Sequence, residues 1–156
     1  MAEILNPDEV LARLRGMSPL RRILLSVAGT LQTTLSAYFG ESVDVEVLSQ
    51  SEGDEGENIF REIQLVCRER RIVACRAWTR IEVRNDVVRK LIRERRMGLG
   101  QICEALGLRA TFVLDAAGHG DGVLWREYRL EGSGFSYHIR EELPARLYGD
   151  GGPGPG

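Results

Sequence analysis

Six stretches of the chain alternate apolar and polar residues with a period of two. That repeat belongs to a strand with one face buried and one face wet. The first group holds Val43, Val45 and Val47 alternating with Asp44, Glu46 and Leu48, then the run Phe60 to Cys67, then Arg71 to about Val83. The second holds Ala110 to Asp115, Val123 to Leu130 and Phe135 to Leu143. Glu69-Arg70-Arg71 reads as a tight connection, and Glu131-Gly132-Ser133-Gly134 as a hairpin. Strands linked this closely have no room for crossover helices, so the sheet is expected to be mainly antiparallel.

Helical signals fill the remaining segments. Asn6-Pro7-Asp8-Glu9 is a cap, a first-turn proline and first-turn acids, followed by Val10, Leu11 and Leu14 and a stop at Gly16. Ser18-Pro19 repeats the signal before Leu20, Ile23, Leu24 and Val27, with Gly29 as the stop. Thr30 is placed to cap a third helix whose buried side is Leu31, Leu35, Tyr38 and Phe39. Asn85-Asp86 opens a fourth, with Val87, Val88, Leu91 and Ile92 inward and Arg89, Lys90, Arg93, Arg95 and Arg96 on a solvated face. A fifth, Gln101 to Leu106, follows Gly98-Leu99-Gly100. Ser51 to Asn58 reads as an acidic exposed loop, and Gly149 to Gly156 as a disordered glycine and proline tail. The expected fold is one α+β domain over residues 1–148, a single six-stranded sheet with helices packed on it.

The totals exclude several classes of function. With 156 residues, 43% apolar and 28% charged, the chain can bury one ordinary core. A net charge of −2 gives no basic excess for nucleic acid. No apolar run approaches the ~20 residues of a membrane span, and Met1 to Asn6 lacks signal-peptide architecture, so a cytoplasmic location is expected. Cys67, Cys75 and Cys103 make an odd set without a CxxC, which argues against a disulfide framework. The two histidines, His119 and His138, form no familiar metal-ligand spacing, so no metal site is expected.

Two charges break the strand pattern. Arg61 heads the apolar row of Ile63, Leu65 and Cys67, while Glu62 and Gln64 take the wet face. Glu141 continues the apolar row of Phe135, Tyr137 and Ile139, and Glu142 falls on the polar side. A lone buried charge costs several kcal/mol, so each needs a partner or a ligand. The competing readings are an arginine snorkelling from a strand start, a strand already ended before Glu141, or a simple ion pair between the two. A guanidinium and a carboxylate facing one apolar interior point to an internal pocket for a small polar molecule.

Other features have plainer explanations. Arg68, Arg70 and Arg71 decorate a hairpin tip, given the acidic balance. His119 lies in a Gly-His-Gly-Asp-Gly stretch that reads as an exposed turn, and Cys67 as a small buried apolar residue. Glycines beside helix starts at Gly29-Thr30 and Gly98-Leu99-Gly100 leave backbone N–H groups that a carboxylate can use, although capping alone explains them. No Ser-His-Asp set, P-loop or dinucleotide motif is present.

Four blocks then stand in a telling order: Leu24-Leu25-Ser26-Val27-Ala28-Gly29-Thr30-Leu31, Phe60-Arg61-Glu62-Ile63-Gln64-Leu65, Met97-Gly98-Leu99-Gly100-Gln101-Ile102, and Leu124-Trp125-Arg126-Glu127-Tyr128-Arg129-Leu130 leading to Glu141 and Pro144-Ala145-Arg146-Leu147-Tyr148. From about Ser18 to Tyr148 the chain resembles the chorismate pyruvate-lyase family, whose fold also serves as the effector-binding domain of some bacterial transcription regulators. The resemblance implies conversion of chorismate to 4-hydroxybenzoate and pyruvate without metal or cofactor. It implies Arg61 and Glu141 as the catalytic pocket residues, and main-chain contacts to the substrate near Thr30, Leu99 and Gly100. The implied partner is a small molecule, with neither nucleic acid nor membrane. Ala28 stands where the family commonly has an acid or amide, His119 where an arginine is common, and Cys103 where an aromatic is common. A lyase acting on a modified chorismate, or a module that binds an aromatic carboxylate without turnover, are the alternatives.

Overall fold

A computed structural model describes residues 2–3, 7–28, 31–53, 58–94 and 99–149. Its strands are β1 Ala2–Glu3, β2 Val43–Glu52, β3 Asn58–Cys67, β4 Val73–Val83, β5 Ala110–Gly120, β6 Val123–Gly132 and β7 Phe135–Pro144. They form one sheet in the order β1-β5-β6-β7-β4-β3-β2. Two antiparallel meanders, β2-β3-β4 and β5-β6-β7, meet where β4 pairs antiparallel with β7. The six expected strands are all present. The two-residue β1, parallel to β5 at one edge, is a seventh that no periodicity could announce.

Turn chemistry sets the register. Asp121 and Gly122 both have positive φ, 52° and 78°, as a two-residue type I′ hairpin between β5 and β6 requires. His119, expected in a turn, instead occupies the next-to-last position of β5, where it is exposed and paired with Leu124. The strand expected over Ala110 to Asp115 runs on to Gly120. It continues because β6 pairs with it on both sides of a register shift at Asp115, and the Trp125 ring covers Gly118 so closely that an added Cβ would sit 2.8 Å from a ring carbon.

The helices are α1 Pro7–Arg13, α2 Pro19–Leu25, α3 Leu31–Phe39, α4 Asp86–Arg93 and α5 Leu99–Ala105. The Ser18 hydroxyl accepts from the Arg21 N–H before α2, and the Asn85 side chain accepts from the Val87 and Val88 N–H groups before α4. Three residues of the expected apolar stripes turn outward. Ile23 is exposed because α2 is short and ends at Ser26, packing through Leu24 and Leu25; Val87 is exposed because the inward stripe of α4 is Val88, Leu91 and Ile92. Leu11 is likewise exposed beside buried Leu14. The helix α5 starts at Leu99 rather than Gln101. Gly29, Thr30, residues 54–57 of the acidic loop, Arg95, Arg96, Met97, Gly98 and residues 150–156 of the tail lie outside the described residues.

The apolar interior divides in two. One cluster joins α2 and α3 to Leu65, Cys67, Cys75, Leu124, Leu143 and Tyr148. The other joins α4 and α5 to Ile59, Ile81, Phe112, Leu130 and Tyr137. All three cysteines are free and buried. Among the described residues no helix is long and apolar enough to cross a membrane.

Candidate functional site

Across the helix-facing side of the sheet, strand register lays the side chains out in rows. One row runs Ile63, Ala77, Glu141, Arg126, Ala117, and the next runs Arg61, Thr79, Ile139, Tyr128, Leu114. The flanking rows are apolar: Leu65, Cys75, Leu143 and Leu124 on one side; Ile59, Ile81, Tyr137, Leu130 and Phe112 on the other. Among the described residues, the buried polar side chains are Arg61, Thr79, Arg126 and Glu141. Every one of them falls in the two central rows. The polar seam thus runs between the two apolar clusters.

Arg61 is 3% exposed and lies four residues into β3, which excludes a side chain snorkelling from a strand start. Its Nε donates to Gln50 Oε1 at 3.0 Å and its Nη2 to the Ile92 carbonyl at 3.4 Å. Gln50 Nε2 donates to the same carbonyl at 3.1 Å. The cation therefore sits at the C-terminal end of α4, where main-chain carbonyls lack helical partners and the helix dipole favours positive charge.

Glu141 is 6% exposed, and its partner is Arg126 rather than Arg61. Arg126 Nε donates to Glu141 Oε1 at 2.6 Å, and the Tyr128 hydroxyl donates to Oε2 at 3.1 Å. Arg126 Nη1 donates to the Leu25 and Val27 carbonyls at 3.2 and 2.7 Å. The guanidinium lies 4.5 Å from the Tyr128 ring centre and 5.6 Å from that of Phe112, within cation–π range. Burial pulls the Arg126 pKa down, the Glu141 charge pulls it up, and the net direction is up. Burial, then the Glu141 charge, push Tyr128 well above the usual phenol range, so it remains a donor to the carboxylate.

The two arginines do matching work. Arg126 clasps the end of α2, just before the segment containing Thr30; Arg61 clasps the end of α4, just before the segment entering α5 at Leu99 and Gly100. Those are the two segments the sequence resemblance assigns to substrate contact. Thr30 itself lies outside the described residues. Leu99 and Gly100 are the first two residues of α5.

Three buried side-chain atoms among the described residues have no hydrogen-bond partner: Arg126 Nη2, the Tyr137 hydroxyl, and Arg89 Nε on α4. Buried donors are nearly always satisfied, so an orphan calls for an explanation. Arg126 Nη2 belongs to the seam, and the Tyr137 hydroxyl borders it with only the weakly bonding Cys103 thiol beside it. Burial and the neighbouring Cys103 keep Tyr137 protonated, against the opposing charge of Arg61.

Arg126 was missed from the sequence although its signal matches that of Arg61. Leu124, Tyr128 and Leu130 share one phase of β6, and Arg126 interrupts it. Trp125, Glu127 and Arg129 on the other phase obscured the pattern. The basic run at the β3–β4 turn behaves as expected: Arg68, Arg70 and Arg71 pair with Asp44, Glu41 and Glu46.

A recess of about 500 Å³ on the uncovered face of the sheet is lined by Phe60, Glu62, Trp78, Arg80, His138 and Arg140 among others, and Arg61, Thr79, Tyr128 and Ile139 of the second row also border it. Its charges are largely matched; Arg140 pairs with Glu127 and Glu142, and Arg129 with Asp115 and Glu131. Among the described residues no three His, Cys, Asp or Glu side chains approach closely enough to hold a metal ion. Comparison of the chain with protein-family models and with curated proteins gave no match.

Proposed function

We propose that this chain is a chorismate pyruvate-lyase whose site is the polar seam between sheet and helices. The observation that carries the reading is a pair of buried polar centres on the helix-facing side of the sheet, Arg61 and Glu141 with Arg126, the second of which holds an unsatisfied donor, Arg126 Nη2. Two strand spacings of ~4.8 Å and two residues of ~3.4 Å separate the Cα atoms of Arg61 and Glu141 by ~12 Å. Between them β4 presents two short side chains, Ala77 and Thr79. A six-membered ring laid over these residues brings one end to each centre.

In this reading Arg61 takes the ring carboxylate, displacing its long 3.4 Å contact to Ile92. Main-chain N–H groups at Thr30, Leu99 and Gly100 hold the enolpyruvyl carboxylate. Glu141 accepts from the C4 hydroxyl. The C3–O ether bond then breaks, the C4 proton leaves, and the ring becomes aromatic. The released enolpyruvate takes up one proton to become pyruvate, so the reaction balances without oxidant, reductant or cofactor. Aromatisation supplies the driving force, and the protein contributes position and charge in a dry space.

A second reading has its own support. Both arginines already hold helix ends, as in a module that only binds an aromatic carboxylate. Incubation with chorismate and chromatography for 4-hydroxybenzoate separates the two. The lyase reading expects stoichiometric product and pyruvate, with turnover abolished in Arg61→Ala. Absence of product at high enzyme concentration rejects it. Thermal stabilisation by 4-hydroxybenzoate without turnover establishes the binding module instead.

A further inference from the structure

Arg126 Nη2 is the one guanidinium nitrogen of that residue without an acceptor, and the side chain is completely buried. A guanidinium is planar, and its Nε–H and one Nη2–H point the same way as a parallel fork. Nε spends its proton on Glu141 Oε1, so the unused Nη2 donor opens beside the same carboxylate. Glu141 is not filled either. Each carboxylate oxygen offers about two acceptor positions, and the known partners, Arg126 Nε and the Tyr128 hydroxyl, use one on each. Side by side in the interior there is thus a donor lacking an acceptor and an acceptor with capacity to spare. Opposite Glu141 on β4 stands the short side chain of Ala77.

We propose that Arg126 is the specificity-determining residue of this site, selecting a ligand that presents a hydroxyl group to Glu141. The inference rests on the reading of the seam as an aromatic-acid site. A hydroxyl donates its proton to Glu141 and accepts from Arg126 Nη2, satisfying both. An aromatic amine donates to Glu141, but its lone pair is delocalised into the ring, so Nη2 stays orphaned. A bare ring edge satisfies neither group. A carboxylate satisfies Nη2 and is repelled by Glu141, which directs the ligand's carboxylate to the opposite end. A site built to hydrogen-bond a hydroxyl rejects analogues lacking it because its own buried groups are left unpaired.

The test is calorimetric titration of the full chain with 4-hydroxybenzoate, 4-aminobenzoate and benzoate. The wild type is expected to bind the hydroxy acid about tenfold to a hundredfold more tightly than either analogue. Arg126→Lys keeps a cation beside Glu141 but lacks the planar fork. It is expected to bind the three acids with similar affinity, losing the preference for the hydroxyl. Equal binding of all three acids by the wild type overturns the proposal, and this holds even where the variant does not fold. A preference that survives in Arg126→Lys assigns selection to another group and also overturns it. If none of the acids binds, the proposal fails. Production of 4-hydroxybenzoate from chorismate would then show that the lyase reading stands without this subsite, and its absence would remove both.

Discussion

Glu141 is held in the interior by Arg126 and Tyr128, so its removal has a structural consequence separate from any chemistry. Taking one partner from a buried ion pair strands the other charge and costs about 3–5 kcal/mol. Glu141→Ala is therefore expected to lose about that much stability in urea denaturation at neutral pH. The triple replacement Arg126→Met, Tyr128→Phe, Glu141→Leu removes both charges and the hydroxyl that would lose its acceptor. It is expected to recover at least half of the loss, falling short because the Leu25 and Val27 carbonyls lose their donor. A triple variant as unstable as the single one would show that volume, not stranded charge, sets the penalty. The residues of the seam were legible to different degrees for the same physical reason. Arg61 and Glu141 stood out because each extends an otherwise apolar row. Arg126 shares that property but lies among charges on both phases of β6. Nothing local could announce which charges meet, since Arg126 reaches a carbonyl 101 residues away.

At the scale of elements, the β3–β4 hairpin is fastened to the start of β2 by Glu41–Arg70, Asp44–Arg68 and Glu46–Arg71. The arginine partner's hydrogen bond is in each case the largest influence, and it lowers the carboxylate pKa from ordinary values of 4.5 for Glu41 and Glu46 and 3.8 for Asp44. A carboxylate whose pKa is depressed by folding resists protonation in the native state. Its contribution is complete above the unfolded pKa and disappears as pH falls through the folded one. Thermal stability is therefore expected to hold from neutrality to about pH 4.5 and to decline below it. Glu41→Gln is expected to lower the neutral plateau and shrink the acid decline. An equal decline in the variant would acquit this pair. The hairpin was readable because its turn is short and basic. The fastening was not, because Glu41 and Arg70 belong to elements that meet only once the sheet forms. Element ends followed a similar rule: caps at Ser18 and Asn85 were visible, whereas the extension of β5 through Ala116-Ala117-Gly118 depends on its pairing with β6.

For the whole molecule, period-two alternation reports one-sided burial, which is why an antiparallel sheet with helices on one face was legible. The joining of the two meanders through β4 and β7 was not, because it depends on register between segments about sixty residues apart in sequence. That one-sidedness also makes the ligand's location measurable. The two tryptophans, Trp78 and Trp125, both belong to the uncovered face, away from the seam. Trp78 lines the outer recess, and Trp125 lies under the Arg140 guanidinium, 4.8 Å from its ring centre. In Trp125→Phe the remaining indole reports on the recess alone. Binding of 4-hydroxybenzoate is registered in the same sample by thermal stabilisation, about 2.7 kcal/mol at a hundredfold excess over Kd. With the ligand in the seam, acrylamide quenching of Trp78 is expected to stay unchanged while that stabilisation develops, because a full layer of sheet separates quencher and ligand. Protection of Trp78 from acrylamide at the same ligand concentrations would instead put the aromatic acid in the recess among Phe60, Arg80 and His138, and leave Arg61 and Arg126 the task of fastening helices to the sheet.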